Sequence, residues 1–390
     1  MFWYFEIGSW DTNQGVGTMN FCVSVLLWQQ KTYFRNSMKY SCTILLLFII
    51  THLTAQTLGG SSVFNFLKLP NTPQLTALGG VNVSQISNDV GLAFNNPALL
   101  RPDMHSQMNA VFNNFYAGIK SYHLSLGYHS QKINTSFLWG LNYSDYGNIQ
   151  QTDAAGNVLG KLRPVDWVIQ LSASRSYLER WNYGATLKFI NSDYGIYRSN
   201  GVAIDVGLLY SDTANLFSVS VLVKNLGFQL KKYDGTDPDE LPFDLQIGLT
   251  RRLQNAPFGF SVTAQHIHRF DIQYNDTTFN NDNGFVNGSF KKFSFDKLFQ
   301  HFVLATTIYA GDKVEVTAGY NFLRRQELNI GKSGNGLNGF SLGVGLILDK
   351  LQVRYARAYY QNNTAYNQMG INLKLNKYFG LGKWGEHIGW

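Results

Sequence analysis

The stretch Phe-Ser-Leu-Gly-Val-Gly-Leu-Ile-Leu-Asp, residues 340–349, carries the pattern that decides the fold of this chain. Most of the intervening positions hold serine, glycine or aspartate, and large apolar side chains stand at Phe340, Leu342, Val344, Leu346 and Leu348. Because successive side chains of a β-strand point to opposite faces, one face of this strand is apolar and the other is small or polar. The same alternation recurs in residues 202–210, 217–224 and 313–320.

A soluble β-sandwich could contain any one of these segments, so composition has to choose between a soluble and a membrane protein. Charged residues make up only 15% of the 390 residues, aromatic residues another 15%, and there are 37 glycines. Soluble domains usually carry about 25% charge. Mean hydropathy is nevertheless slightly negative, and the alternating region contains no apolar run of about 20 residues, which argues against a bundle of membrane helices. A transmembrane β-barrel reconciles these facts, because alternate residues face lipid and lumen.

The first 56 residues are predicted to be absent from the mature protein. Residues 38–56 have the layout of a secretory signal peptide, with Lys39 ahead of an apolar core and small residues around Ala55. Residues 1–37 are interpreted as upstream sequence from a start codon placed too early; the alternative is a genuine cytoplasmic extension. Both cysteines, Cys22 and Cys42, fall in this part, so the mature chain has no thiol. Cys42 precedes the apolar core, which argues against lipidation.

About fourteen alternating segments are counted, and an even number closes an antiparallel barrel. They start near residues 107, 120, 133, 164, 180, 200, 215, 242, 258, 299, 313, 338, 350 and 366. The predicted class is therefore all-β, an antiparallel transmembrane β-barrel of about fourteen strands over residues 107–376, with a C-terminal tail at 377–390.

The links between these strands are predicted to alternate in length. The even links are tight, while the odd links after the first are longer, at residues 145–163, 191–199, 226–241, 269–298, 323–337 and 361–365. The first odd link, near Gly118, is a short exception. Outer-membrane barrels have short periplasmic turns and longer outside loops, so the long links are predicted to lie outside the cell and both barrel ends in the periplasm.

Residues 57–106 lack the alternation and contain turn-forming pairs such as Gly59-Gly60 and Asn96-Pro97. A barrel of this size has a lumen wider than its own side chains can fill. The segment is therefore predicted to be a plug inside the lumen; a periplasmic docking extension is the alternative.

Within this segment, Ala77–Leu100 resembles the amino-terminal motif of FadL-like outer-membrane barrels, with the plug triplet Asn96, Pro97 and Ala98. Together with Ser61–Gly80 and Tyr146–Gln170, the resemblance narrows to the PorV/PorQ family of the type IX secretion system and covers nearly the whole mature chain. The segment Gln368–Leu375 also resembles the last-strand signal of such barrels, although about fifteen residues follow it here.

The resemblance implies a role in the attachment complex at the cell surface. There the barrel would anchor a PorZ-like surface protein beside PorU and PorV, which process cargo and join it to anionic lipopolysaccharide. The implied partners are thus outer-membrane lipid, these proteins and anionic lipopolysaccharide, with no nucleic acid. A net charge of +7 is compatible with an anionic surface, although scattered solubilising charge is the favoured explanation.

Motifs for chemistry are few. Gly331-Lys332-Ser333 lacks the earlier glycine of a phosphate loop, since Gln326 stands there. Two histidines, His266 and His268, could share a metal but show no third ligand in the sequence. An acidic loop misses the calcium-loop spacing and fits a solvated loop better; its residues are Asp234, Asp237, Asp239 and Glu240. The sequence therefore predicts no enzyme and assigns no catalytic residue, cofactor or metal.

Three functions are compatible with these features. The first is anchoring, with the loops 145–163, 226–241 and 269–298 gripping a partner. The second is FadL-type transport of hydrophobic small molecules, which rests on fold analogy. The third, an open diffusion porin, predicts ion conductance that a plug would suppress.

Overall fold

The structure is a computed structural model that describes residues 62–115, 118–153, 155–270, 272, 295–328, 336–361 and 364–379. These residues belong to the second of two compact units, Thr57–Trp390. The predicted upstream segment, the predicted signal peptide with Cys42, residues 57–61 of the predicted plug segment and residues 380–390 of the predicted tail lie outside the described residues. So do Cys22, most of the loop 269–298, and Gly331-Lys332-Ser333.

Fourteen antiparallel strands form a closed barrel, in which β1 pairs with both β2 and β16. The two remaining strands, β4 and β5, form a separate hairpin in the link between β3 and β6. The strands are β1 Gln107–Asn114, β2 Lys120–Ser130, β3 Thr135–Asp145, β4 Ile149–Thr152, β5 Val158–Leu162, β6 Val165–Tyr177, β7 Trp181–Tyr194, β8 Tyr197–Asp212, β9 Phe217–Lys231, β10 Asp244–Arg252, β11 Phe258–Ala264, β12 Phe302–Ala310, β13 Val314–Asn321, β14 Phe340–Ile347, β15 Leu351–Gln361 and β16 Thr364–Lys374.

This architecture confirms the predicted fold class. Each barrel strand begins within three residues of its predicted start; the largest differences are at β8 and β12, expected near 200 and 299 and observed from Tyr197 and Phe302. Because the barrel is closed, the backbone N–H and C=O groups of every strand find partners; at an open sheet edge in hydrocarbon they would have none.

The predicted link lengths need two corrections. The link expected at 191–199 is a tight turn, because β7 continues to Tyr194 and β8 starts at Tyr197, with Gly195 at φ +80 between them. The link expected at 361–365 is also short, between Gln361 and Thr364. The four long links, at 146–164, 232–243, 265–301 and 322–339, nevertheless all lie at one end of the barrel, which we call the outer end. We call the opposite end periplasmic.

Residues 62–106 lie inside the lumen and form the predicted plug. Capping starts the helices where the sequence provides acceptors: the Asp89 carboxylate accepts from Gly91 N at 2.9 Å, and Pro73 follows the capping Thr72. The plug contains the 3-10 helices Asn65–Lys68, Pro97–Leu99 and Pro102–Met104 and the α-helices α1 Pro73–Ala77 and α2 Val90–Asn95. Outside the plug are α3 Phe295–Gln300, α4 Phe322–Leu328 and α5 Leu375–Phe379.

The outer surface of the barrel is apolar, and the lumen is small or polar. Strand β7 shows this at every step, since its exposed and buried positions alternate from Trp181 to Ile190. The exposed side chains of the wall are mostly large and apolar, including Leu171, Leu187, Phe189, Val206, Leu249, Phe260, Leu342, Val344 and Met369. A closed barrel with an apolar belt outside and a polar interior is an integral outer-membrane protein. Among the described residues, no helix combines the length and apolar content needed to cross a bilayer.

Candidate functional site

The triplet Asn96, Pro97 and Ala98 lies where the plug meets strands β6 to β9. Asn96 is fully buried: its Oδ1 accepts from Ala98 N at 3.0 Å, and its Nδ2 donates to Val83 O at 2.7 Å and to Ser220 Oγ of β9 at 2.9 Å. One side chain therefore caps the following 3-10 turn, joins two parts of the plug and fastens the plug to the wall. Neither the resemblance nor the spacing of residues indicated the bond to the wall.

Glycines on the lumen face of the wall let the plug approach the strands closely. A Cβ added at Gly184 would lie 2.7 Å from Pro97 O, and one at Gly207 would lie 2.2 Å from Asn96 Oδ1. At nine glycines of the wall, an added Cβ would lie 3.0 Å or less from an atom of the plug. We call them the plug-facing glycines: Gly127, Gly140, Gly184, Gly201, Gly207, Gly248, Gly319, Gly343 and Gly370. The alternating pattern in the sequence identifies these glycines only as small residues on the strand face opposite the apolar one.

Hydrogen bonds to several strands complete the contact. Gln170 Nε2 donates to Phe94 O at 2.9 Å, and Asn321 Nδ2 donates to Gly79 O at 3.2 Å. Further pairs between plug and wall side chains are Thr76–Gln368, Asn82–Ser261 and Ser84–Thr250. Buried polar groups that find partners on both surfaces fix one position of the plug, because any shift would leave them unsatisfied.

Near the periplasmic end, a buried charge cluster joins the plug to two strands. Arg354 of β15 donates from Nη1 to Asp89 Oδ2 of the plug at 3.1 Å and from Nε to Glu315 Oε1 of β13 at 2.9 Å. All three side chains are less than one-tenth exposed. The other carboxylate oxygen of Asp89 also accepts from Asn109 of β1, so the cap of α2 is shared with the wall.

The plug leaves a cavity at each end of the lumen. The periplasmic cavity, about 360 Å³, has a mixed lining that includes Gln85, Arg101, Arg252, Tyr309 and Arg354. The cavity at the outer end, about 330 Å³, is lined by charged and polar side chains together with a few apolar ones. We call it the outer vestibule and define it by Lys68, Lys224, Asp244, His266, His268 and Arg269.

Two lysines of the outer half have different partners. Lys188 Nζ lies 2.6 Å from Asp205 Oδ2 and 2.8 Å from Asn225 Oδ1. Asn225 sits at φ 56 in a bulge of β9 that brings its backbone N–H to Asp205. Lys224, which directly precedes Asn225 in the sequence, instead donates to the amide oxygen of Asn95 in the plug.

The structure adds a third residue to the histidine pair noted in the sequence. Asp244, at the start of β10, accepts at Oδ1 from His266 N at 2.6 Å, and His266 Nδ1 lies 3.2 Å from the same oxygen. One candidate ligand atom from each of Asp244, His266 and His268 lies within 4.8 Å of the others. By contrast, among the described residues the acidic loop Asp234–Glu240 does not bring three such atoms together.

No known family model matches the chain, and no curated protein sequence is significantly similar to it. Among solved structures, the chain is similar to a deltaS2S3 mutant of the TodX monoaromatic hydrocarbon channel, with 12% identity, a TM-score of 0.43, and coverage of 77% of this chain and 96% of that one. It is also similar to a FadL homologue of Pseudomonas aeruginosa, with 9% identity, a TM-score of 0.41, and coverage of 78% and 98%. A third similar structure is the KdgM porin, with 4% identity, a TM-score of 0.32, and coverage of 68% and 98%. These likenesses are distant, and the membrane assignment rests on the barrel itself.

Proposed function

We propose that this protein is a sealed outer-membrane anchor whose outer rim holds a partner protein. The observation that carries the proposal is the fit between plug and wall. Plug residues such as Val90, Ala93 and Ala98 are fully buried, and the plug-facing glycines admit plug atoms where any Cβ would collide. A lumen filled in this way argues against an open diffusion porin, which needs a water-filled channel.

The rim of the barrel is uneven. Strands β6 to β9 have 13 to 16 residues, whereas β10 to β14 have 7 to 9. Because the periplasmic turns are all short, the surplus of about six residues lies at the outer end. At about 3.3 Å per residue in strands tilted by about 45°, it raises that side by about 14 Å. We call the outer part of β6 to β9, together with the hairpin β4–β5, the projecting wall.

Side-chain contacts make the projecting wall a preformed surface. The hydroxyls of Tyr146 and Tyr194 both donate to Asp166 Oδ2, at 2.5 and 3.0 Å. The rings of Tyr194 and Tyr233 stack with centroids 5.9 Å apart, which joins the 232–243 link to β7. A rigid surface loses little conformational entropy when it binds a partner.

The projecting wall also exposes apolar side chains above the expected level of the bilayer. Ile196 at the tip of the β7–β8 turn is 68% exposed, and Leu159 in β5 is 63% exposed. A Cβ added at Gly195 would meet Leu162 at 2.5 Å, so the hairpin packs against that turn. Clustered apolar residues that face water indicate an interaction surface, and a protein partner would bury them.

The finer identity of the partner rests on sequence resemblance. The likeness of Ala77–Leu100, Ser61–Gly80 and Tyr146–Gln170 together to the PorV/PorQ family supports a place in the type IX secretion attachment complex. The partner would then be a PorZ-like surface protein, with PorU and PorV joining cargo to anionic lipopolysaccharide nearby.

FadL-type transport of a hydrophobic small molecule is a second candidate. The observation in its favour is that the two cavities, of about 360 and 330 Å³, lie at opposite ends of one plug and have the size of small-molecule sites. The charged lining of the outer vestibule weighs against it, since capture of an apolar substrate needs apolar walls.

Co-purification from native outer membranes tests anchoring. The double variant Leu159→Ser with Ile196→Ser removes apolar area from the projecting wall, and Ile133→Ser makes the same kind of change at an exposed periplasmic turn. We expect the double variant to recover at least tenfold less PorZ-like protein and the Ile133 variant to match the wild type. Equal recovery by both variants would contradict anchoring through this wall.

Planar-bilayer recording and substrate uptake separate the other functions. Anchoring predicts little steady conductance for the wild-type barrel. Large, constant conductance would favour a porin, and loss of hydrophobic-substrate uptake in a deletion strain that retains its surface proteins would favour transport.

A further inference from the structure

The Asp244, His266 and His268 side chains meet because β10 and β11 are paired next to them. Ile247 pairs with Ala264 in the ladder, and the chain beyond β11 returns so that Ile267 N donates to Leu245 O at 3.2 Å. His266 and His268, which follow Asp244 by 22 and 24 positions in the sequence, are thereby brought beside it. His266 is in the left-handed region at φ 54, a conformation that costs energy in a residue other than glycine.

The neighbouring contacts hold this arrangement in place. The backbone N–H of His266 donates to Asp244 Oδ1, while Gln246 Nε2 donates to Oδ2 of the same carboxylate. The two ends of the 265–301 link are also joined, because Gln265 N donates to His301 O at 2.8 Å. The three side chains therefore sit on the anchored base of the 265–301 link.

The donor set is that of a transition-metal site. Two imidazole nitrogens and one carboxylate oxygen form a three-ligand group typical of zinc, with a fourth position left for water or another donor. Ligand atoms around tetrahedral zinc lie about 3.3–3.6 Å apart, given bonds of about 2.0–2.2 Å. The distance of 3.2 Å between Asp244 Oδ1 and His266 Nδ1 already matches this ligand-to-ligand spacing. The three candidate ligand atoms lie within 4.8 Å of one another, so a small side-chain rotation would bring all of them to the spacing of a zinc site.

The charges around the three side chains also bear on metal binding. Asp244 favours a cation, whereas the charges of Lys68 and Arg269 oppose one. We therefore expect moderate affinity rather than that of a structural zinc finger.

A purely structural explanation leaves one atom unexplained. His266 is satisfied by its contact with Asp244, but Nδ1 of His268 is buried and has no hydrogen-bond partner among the described residues. The ring of His268 packs edge-on against Phe243, with centroids 4.8 Å apart, and this contact holds it beside His266. A buried ring nitrogen usually has a partner.

We propose that Asp244, His266 and His268 bind one divalent transition-metal ion, zinc in preference to magnesium or calcium, in the outer vestibule. Nitrogen donors select zinc, nickel or copper over the hard cations, which prefer oxygen. The bound ion would link the first residue of β10 to the base of the 265–301 link. This proposal is independent of the anchoring function.

Titration calorimetry of the tag-free, chelator-treated full chain in detergent tests the proposal. We expect one Zn²⁺ per chain, no comparable heat with Mg²⁺ or Ca²⁺, and at least tenfold weaker binding in His268→Asn and in Asp244→Asn. The matched control is His129→Asn at the periplasmic end, where His129 N donates to His105 Nδ1 at 3.1 Å and a second histidine pair could bind zinc adventitiously.

Folding of each variant is checked by its heat-dependent electrophoretic mobility. Because Asp244 also supports the backbone of His266, the absorption spectrum of bound Co²⁺ gives a second measurement: we expect a tetrahedral spectrum in the wild type and in His129→Asn but not in His268→Asn. Zinc binding that survives in His268→Asn and disappears in His129→Asn would overturn the proposal, as would the absence of stoichiometric binding in the wild type.

Discussion

The two ends of the lumen use charge in opposite ways. At the periplasmic end, the Arg354 guanidinium contacts two carboxylates, Asp89 and Glu315, and all three groups are removed from water. At the outer end, the hydrogen-bond acceptors of Lys224 and Lys68 are neutral: the Asn95 amide oxygen and the Ser62 hydroxyl. The first arrangement holds the plug against the wall, and the second leaves cationic groups facing a cavity.

This difference has an energetic cause. Burying charge is expensive unless the partners are close and fully hydrogen-bonded, and breaking such a cluster leaves an uncompensated charge behind. Polar groups beside an open, hydrated cavity carry a much smaller penalty. A protein that needs a fixed plug and an accessible outer surface can therefore hold the plug with buried charges at one end and leave available charges at the other. The buried Lys188–Asp205 pair of the outer half joins two strands of the wall and does not contact the plug through its charges.

The largest expected effect comes from breaking the periplasmic cluster. Arg354→Met removes the shared cation and leaves Asp89 and Glu315 buried and unpaired, which should lower the free energy of unfolding by about 3–5 kcal/mol. Urea unfolding in lipid vesicles measures the loss. The control Arg175→Met makes the same chemical change at an exposed position and should stay within about 0.5 kcal/mol of the wild type.

A triple variant tests whether charge is the cause. Adding Asp89→Asn and Glu315→Gln to Arg354→Met removes the unpaired carboxylates, so part of the lost stability should return. If the triple variant is no more stable than Arg354→Met, lost packing rather than unpaired charge explains the effect.

Overpacking between plug and wall should have the next largest effect. Gly184→Val places a Cβ 2.7 Å from the carbonyl group of Pro97, so plug or strand must move, at a cost of about 1–3 kcal/mol. The control is Gly160→Val in β5, where an added Cβ meets nothing within 4 Å. Thermal unfolding of both variants measures the difference, and equal midpoints would show that the plug adapts to the wall.

The outer end should tolerate a comparable loss of charge. Lys68→Met removes a cation whose side chain is exposed and which donates to Ser62 at 2.9 Å, so the free energy of unfolding should change by no more than about 0.5 kcal/mol. Paired with Arg354→Met under the same urea conditions, this variant makes the contrast quantitative. A loss above about 2 kcal/mol would mean that the outer end also holds the plug.

The barrel could be predicted from the sequence because lipid and lumen impose period-two alternation on every spanning strand. Prediction failed where that constraint ends. In the β7–β8 tip, Asn191 pairs with Asn200 and Ser192 with Ser199, although these residue types ordinarily indicate a turn. Beyond the bilayer water reaches the outer face of a strand, so the alternation is lost while the hydrogen bonding continues.

The candidate site was only half visible in the sequence. The sequence shows the close pair His266 and His268, but Asp244 precedes them by more than twenty residues and meets them only through the β10–β11 pairing. Extending the register of those two predicted strands could have found it. The plug contacts could not be found in this way, because the atom that faces Gly207 depends on where the whole plug settles in the lumen.

The smallest expected effect lies on the projecting wall, at the turn of the β4–β5 hairpin. Asp153 Oδ1 accepts from the backbone N–H groups of Ala155 and Asn157, and Oδ2 accepts from the Asn157 side chain at 2.8 Å. These bonds favour the carboxylate, with the Asn157 side chain contributing most, and hold the pKa of Asp153 below its ordinary value.

A lowered acid pKa fixes the sign of the pH dependence. The turn is fully stabilised above the ordinary aspartate pKa and loses that support as the pH falls through the lower folded value. Carboxyl NMR titration should give Asp153 a pKa below 3.8, and Asn157→Ala should move it back toward 3.8. Global unfolding should not change measurably, because the hairpin lies outside the closed sheet. An unshifted Asp153 would remove this turn from the preformed part of the projecting wall.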